Sequence, residues 1–281
     1  MRLRRWVLKK NPEQADLAGR KIGRLVFRLD WKHRSRALSN LAMAFPEKTA
    51  EERRRIAIAD FEHFGSVAAD FMRSSLRTKE ELIANTTSEG YEHLEKALEL
   101  GKGVLLITPH FGNWERGGHW VIAKGNPMCV VARDANDSDL NRLVQELRES
   151  GGMEVISRGN AARPILQSLR KNKVVAILPD QNSEEAFVPF FGKPAGTTQG
   201  PSVLHLRSSA PMIPAFCVVK GPAKLHLIFG PPIEPDPAYE DPATGLTAAM
   251  NRCLEETIRV YPEQYLWFHD RWKSARKKGL L

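Results

Sequence analysis

The chain has 281 residues, 42% hydrophobic and 27% charged, which suits a folded globular protein and excludes a disordered or low-complexity one. Its three cysteines, Cys129, Cys217 and Cys253, are too few and too scattered for a disulfide framework or a zinc finger, and they fit a reducing cytoplasmic setting. The net charge of +9 sits in the first 36 residues, which hold 12 Lys/Arg against 3 Asp/Glu, while the rest carries 30 of each.

A basic block beside apolar residues suggests an anionic surface. No stretch reaches 18 uninterrupted apolar residues, so no transmembrane helix is expected. The opening Met1-Arg2-Leu3-Arg4-Arg5-Trp6-Val7-Leu8 begins like a signal peptide but lacks its apolar centre, and we read it as retained. Over residues 17–31, Arg20, Lys21, Arg24 and Arg28 recur beside Ile22, Leu25, Val26 and Leu29. Such a helix either lies in a membrane interface or packs its apolar stripe on the domain. No aromatic-rich nucleic-acid module accompanies the charge, so no nucleic acid is expected as partner.

A short helix then ends by Phe45, because Pro46 pushes the preceding residue out of the α region. Thr49 and Glu52 form a capping box. Behind it Ala57, Phe61, Phe64, Ala68 and Phe71 make a helical stripe assigned to the core. From Gly103 the pattern alternates strand with helix: strands over 104–108, 128–132, 174–178, 212–219 and 225–229, helices over 138–149, 161–171 and about 247–260. This predicts an α/β sheet with covering helices, residues 101–281, behind an N-terminal helical region of residues 1–100. Residues 230–237, rich in proline, read as an extended surface connection.

The most informative run is Thr108-Pro109-His110-Phe111-Gly112-Asn113-Trp114-Glu115-Arg116, placed where an apolar strand stops and a helix begins. Such a junction favours chemistry, because helix N-terminal N–H groups there are unpaired. A neutral His110 would act as a base with one ring nitrogen held by an acceptor, and Glu115, with Gly112 as slack, is the expected acceptor. Backbone N–H groups near Gly112 and Asn113 are the expected oxyanion donors. Arg133 follows the next apolar strand, Arg148 ends the next helix, and Asp180 ends the strand after that in Leu178-Pro179-Asp180-Gln181-Asn182. These three converge on one rim or, for each arginine, form a surface salt bridge. A competing class is a zinc-dependent hydrolase using His110, Glu115 and His119. No Gly-x-Ser-x-Gly elbow supports a serine nucleophile. His33, His63, His93, His205 and His226 read as surface or core residues.

The hexapeptide His-Phe-Gly-Asn-Trp-Glu at the end of an apolar strand resembles the signature of the bacterial lipid A late acyltransferases, within the wider glycerolipid acyltransferase superfamily. Asn40-Leu41 with Ala44-Phe45-Pro46-Glu47, the block Phe190-Phe191-Gly192-Lys193-Pro194, and the closing Tyr261-Pro262-Glu263-Gln264-Tyr265-Leu266-Trp267 with His269 and Arg271-Trp272-Lys273 are similar to the same family. Members usually begin with an apolar anchor, which charged residues interrupt here. The resemblance implies a mixed β-sheet flanked by helices, glycerolipid acyltransferase-like, and His110 and Glu115 as catalytic residues. It also implies Arg133, Arg148 and Asp180 in substrate binding, and neither metal nor bound cofactor. The implied donor is an acyl carrier protein or coenzyme A thioester. The acceptor is a lipid hydroxyl, first a lipid A precursor in lipopolysaccharide biosynthesis, alternatively a lysophospholipid or glycolipid. The implied location is the cytoplasmic face of the inner membrane, peripheral or monotopic.

Overall fold

The computed structural model describes residues 2–132, 138–157, 159 and 161–281, with Ser138 and Leu140 as backbone only. The N-terminal half is helical: α1 (Arg2–Leu8), α2 (Pro12–Leu29), α3 (Trp31–Ala44), α4 (Ala50–Met72) and α5 (Lys79–Ala84). Strand β1 (Thr86–Glu89) and α6 (Tyr91–Glu99) follow. The alternating part contains β2 (Val104–Ile107), α7 (Trp114–Ala123), β3 (Met128–Ala132), α8 (Ser138–Glu149), β4 (Glu154–Ser157), α9 (Ala162–Arg170) and β5 (Val174–Ile177). A hairpin of β6 (Ala186–Phe190) and β7 (Lys193–Thr197) leads to α10 (Gly200–Ser208), β8 (Met212–Gly221) and β9 (Lys224–Phe229). The chain closes with α11 (Pro242–Val260) and α12 (Lys273–Lys277).

Seven strands form one sheet in the order β1-β9-β8-β2-β5-β3-β4. Only the β8–β9 pair is antiparallel, so the sheet is mixed. The expected α/β architecture with N-terminal helices is therefore present. Every residue of β2 and of β5 is buried, as central parallel strands covered on both faces require. Leu105 and Ile107 face a core shared with α11 and Trp267, whereas Val104 and Leu106 face one shared with α6 and α7. Strands β1 and β4 lie at the two edges, and β1 brings a segment of the N-terminal region into the sheet.

Helix α2 starts at Pro12 under an Asn11–Gln14 capping box and ends at Asp30, whose side chain caps α3. It meets α4 through its small residues. A Cβ on Gly19 would lie 2.3 Å from the Gly65 carbonyl oxygen, and one on Gly23 would lie 1.9 Å from that of Phe61. The buried face of α2 is Ala15, Gly19, Gly23 and Phe27, and Ile22, Leu25, Val26 and Leu29 stay exposed. The predicted capping box at Thr49 and Glu52 forms at the start of α4. The stripe expected on α4 is only partly realised: Ala57 and Phe61 are buried, but Ala68 is exposed. Burial extends instead to Asp60, His63, Ser66, Val67 and Ala69. The reason is that α4 is covered by α2 on one side and by the turn at Pro262–Gln264 on another, so no single stripe describes its core side.

Candidate active site

The parallel register of β2 and β5 builds the site. Ile107 pairs with Ile177, and each strand continues for three residues through a proline, to Pro109-His110 and Pro179-Asp180. Equal extensions from paired strands put His110 beside Asp180. The His110 backbone N–H donates to Asp180 Oδ2 at 3.0 Å, and Nδ1 lies 2.8 Å from Asp180 Oδ1. Asp180 is 2% exposed. Burial would push its carboxyl pKa up, but the His110 ring and backbone N–H outweigh that and hold it below the usual carboxylate value. An ionised carboxylate only accepts, so Nδ1 carries a proton, and in the neutral ring Nε2 keeps its lone pair. The His110 side chain remains 22% exposed and lines a cavity of about 1040 Å³.

This corrects the expected pairing of His110 with Glu115. Glu115, on the first turn of α7, instead accepts from Arg148: Nε at 3.0 and 3.2 Å, Nη2 at 2.5 Å, with Trp114 Nε1 adding a bond at 3.2 Å. The guanidinium fork satisfies both carboxylate oxygens in a geometry that an imidazole cannot offer. Arg148 lines the same cavity as His110. The Trp114 ring also lies edge-on to that of His110 at 5.3 Å.

A second correction concerns the oxyanion donors. The Gly112 N–H donates to the Gln264 carbonyl and the Asn113 N–H to the Cys217 carbonyl, both at 2.9 Å. Neither is free. Gly112 has φ +57°, and a Cβ there would lie 1.8 Å from the Cys217 oxygen, so only glycine lets the loop sit this close to β8. Asn113 caps α7, its Oδ1 accepting from the Arg116 N–H, while its amide donates to Asp70 Oδ2 at 2.6 Å. Arg77 and Arg116 hold Asp70 in turn.

The loop is fixed from other elements that the sequence reading passed over. His63 on α4 sets Nε2 3.1 Å from the Gly112 carbonyl, and burial pushes its pKa down to about 4. Leu266 N–H donates to the His110 carbonyl. His269 accepts the Asn182 N–H on Nε2 at 3.0 Å, and burial pushes its pKa down to about 4, so the ring is neutral and anchors the segment after Asp180. The only signal for Gln264 and His269 was their place in the closing block; for His63 there was none.

The cavity is walled by Val130 and Val131 of β3, Val144 of α8, Ile165 and Leu166 of α9, Ile177 of β5 and Leu204 of α10. Its polar lining includes His110, Gln145, Arg148, Asn182, Glu185 and Arg207. Arg133 lies outside the described residues. His119 is buried against Gly151, and Glu115 is committed to Arg148, so His110, Glu115 and His119 do not converge. Among the described residues no group of three potential metal ligands is assembled.

A histidine held by a buried carboxylate at a strand end, lining a cavity of mixed apolar and polar walls, sits within an α/β fold. The chain belongs to the family described as bacterial lipid A biosynthesis acyltransferase, whose family model matches residues 5–274. It is 30% identical over 265 residues to the lipid A biosynthesis palmitoleoyltransferase of Escherichia coli (strain K12), covering 91% of this chain and 84% of that one. It is 28% identical to the lipid A biosynthesis lauroyltransferase of the same organism, over 92% of this chain and 85% of that one. It is also 28% identical to a phosphatidylinositol mannoside acyltransferase of Mycobacterium tuberculosis (strain CDC 1551 / Oshkosh), over 65% of this chain and 58% of that one.

Proposed function

We propose that the protein moves a fatty acyl chain from an acyl carrier protein or coenzyme A thioester to a hydroxyl of a lipid acceptor, a lipid A precursor first. The observation that carries this reading is the His110–Asp180 pair lining a cavity whose walls are largely apolar. Nε2 of His110 takes the hydroxyl proton as the oxygen attacks the thioester carbonyl carbon. The tetrahedral intermediate collapses, the C–S bond breaks, and the imidazolium returns the proton to the departing thiolate. The products are an ester and a free thiol, with no acyl-enzyme. Asp180 orients the ring and stabilises its charged form. Arg148, with Nε and Nη2 on Glu115, keeps its Nη1 edge for a phosphate of donor or acceptor, and Arg133 would add to it. With the Gly112 and Asn113 amides occupied, the backbone donors left for the oxyanion are the first-turn N–H groups of α7, those of Trp114 and Glu115, which have no intrahelical acceptor.

We further propose that α2 attaches the protein to the cytoplasmic face of the inner membrane. Leu25 is 51% and Leu29 73% exposed, because the glycine face of α2 makes the contact with α4. Arg20 and Arg24 are paired with Asp16 and Glu62, so Lys21 and Arg28 are the α2 cations left to attract anionic lipid. Among the described residues no helix is long and apolar enough to cross a membrane.

The test is to supply purified protein with a labelled acyl thioester, on either carrier, and a total lipid extract, then identify the labelled product. Label in a lipid A precursor is expected. Exclusive label in a lysophospholipid product or in a mannosylated glycolipid would reject that acceptor and keep the chemistry.

A further inference from the structure

The Glu115–Arg148 pair has a support of its own, distinct from the His110–Asp180 pair. Helix α7 presents Glu115 and, one turn later, His119 on the same face. Glu115 grips the side chain of Arg148, at the end of α8. His119, 3% exposed, faces the main chain of that same segment. The carbonyl of Arg148 accepts from the Gly151 and Met153 N–H groups in the turn closing α8, and His119 Nε2 is buried with no hydrogen-bond partner among the described residues, so the imidazole meets this turn by packing. Gly151 lies flat on the ring: a Cβ there would be 2.3 Å from Cδ2 and 2.4 Å from Nε2 of His119. Gly151 does not have the positive φ of its neighbour Gly152, so what it supplies is space.

We propose that His119 is a positioning residue, a seat that fixes the last turn of α8 so that the Arg148 fork meets Glu115 and points its free edge into the cavity. This rests on the reading of Arg148 as the group that holds a substrate phosphate. A side chain placed on one turn by its backbone and on the next helix by its head cannot swing away when substrate arrives. The small loss of freedom on binding is what such preorganisation provides.

The test uses Gly151→Ala, His119→Ala and the double variant, with two readouts: transfer kinetics and the Arg148 Nε–H resonance in a ¹⁵N spectrum, assigned by its loss in Arg148→Lys. Gly151→Ala should broaden or shift that resonance and lower kcat/KM roughly tenfold or more, since displacements of about 1 Å cost up to a hundredfold. Adding His119→Ala should relieve the overlap and return both readouts to those of His119→Ala alone. If Gly151→Ala does not fold, His119→Ala is read by itself, since it removes the ring on which the turn packs. It should move the resonance and lower kcat/KM about fivefold, because the turn is no longer held in place. A folded Gly151→Ala or His119→Ala with wild-type resonance and kinetics overturns the proposal, as does a double variant more impaired than His119→Ala alone. A moved resonance with unchanged kinetics supports the seat and rejects the phosphate-holding reading of Arg148.

Discussion

Asp180 and Glu115 have exchanged the parts that local sequence assigns them. Reading along the chain favours Glu115 as the partner of His110, because it is five residues away on the next helical turn. Reading across the sheet favours Asp180, 70 residues away, because β2 and β5 are paired in register and both leave the sheet through an x-Pro-x step. The signal was present in the likeness of Ile107-Thr108-Pro109-His110 to Ile177-Leu178-Pro179-Asp180, but strand adjacency is a tertiary fact and the likeness means nothing without it. Asp180→Asn should therefore lower the transfer rate by about two to four orders of magnitude, as loss of a general base does, and add little to a His110→Ala variant. Steady-state kinetics on the two single variants and the double would show it; independent, multiplying losses would separate the two residues. A pH prediction falls on His63. Its folded pKa of about 4 lies below the ordinary histidine value, so the unfolded chain binds a proton first as pH falls. Stability is whole above roughly pH 6.5 and declines toward pH 4, by an amount on the order of 3 kcal/mol for this one group. Urea melts at several pH values should show a shallower acid loss in His63→Gln, which keeps an N–H for the Gly112 carbonyl. Parallel pH profiles for variant and wild type would refute the assignment.

Among the elements, the fully buried central strands were legible, whereas the edge strands and the β6–β7 hairpin were not. The apolar runs of β2, β3, β5 and β8 stand out because both faces of a central strand are covered. Edge strand β1 reads Thr-Thr-Ser-Glu and edge strand β4 is exposed at both ends, so neither carries a periodicity to find. The apolar side of α2 was equally legible as core or as membrane face. What decides between them is the glycine seam with α4, and composition does not say which face of a helix meets a neighbour. Gly23→Ala should destabilise the fold by about 1–3 kcal/mol, because its Cβ meets rigid backbone and the two helices must part. Leu25→Ser should leave stability within about 0.5 kcal/mol, the usual range for an exposed site. Chemical denaturation measures both; the reverse ranking would mean that α2 packs through its large residues.

For the whole molecule, the charge asymmetry and the exposed side of α2 place the proposed lipid contact on the N-terminal helices. Removing those helices is a poor test, because α2 covers α4, which carries His63 against the loop that holds His110. Ile22→Ser/Leu25→Ser/Leu29→Ser leaves that seam intact. It should reduce sedimentation with anionic liposomes while leaving hydrolysis-free transfer to detergent-dispersed acceptor near wild type, whereas undiminished liposome binding would move the contact elsewhere. The central claim, that His110 held by Asp180 is the base for acyl transfer to a lipid hydroxyl, is reached most directly by one measurement. It is the rate at which folded His110→Ala moves label from an acyl thioester into lipid, beside wild type at equal concentration. The account predicts a loss of at least about a hundredfold with an unchanged melting profile; a folded His110→Ala that transfers at a rate comparable to wild type would contradict it.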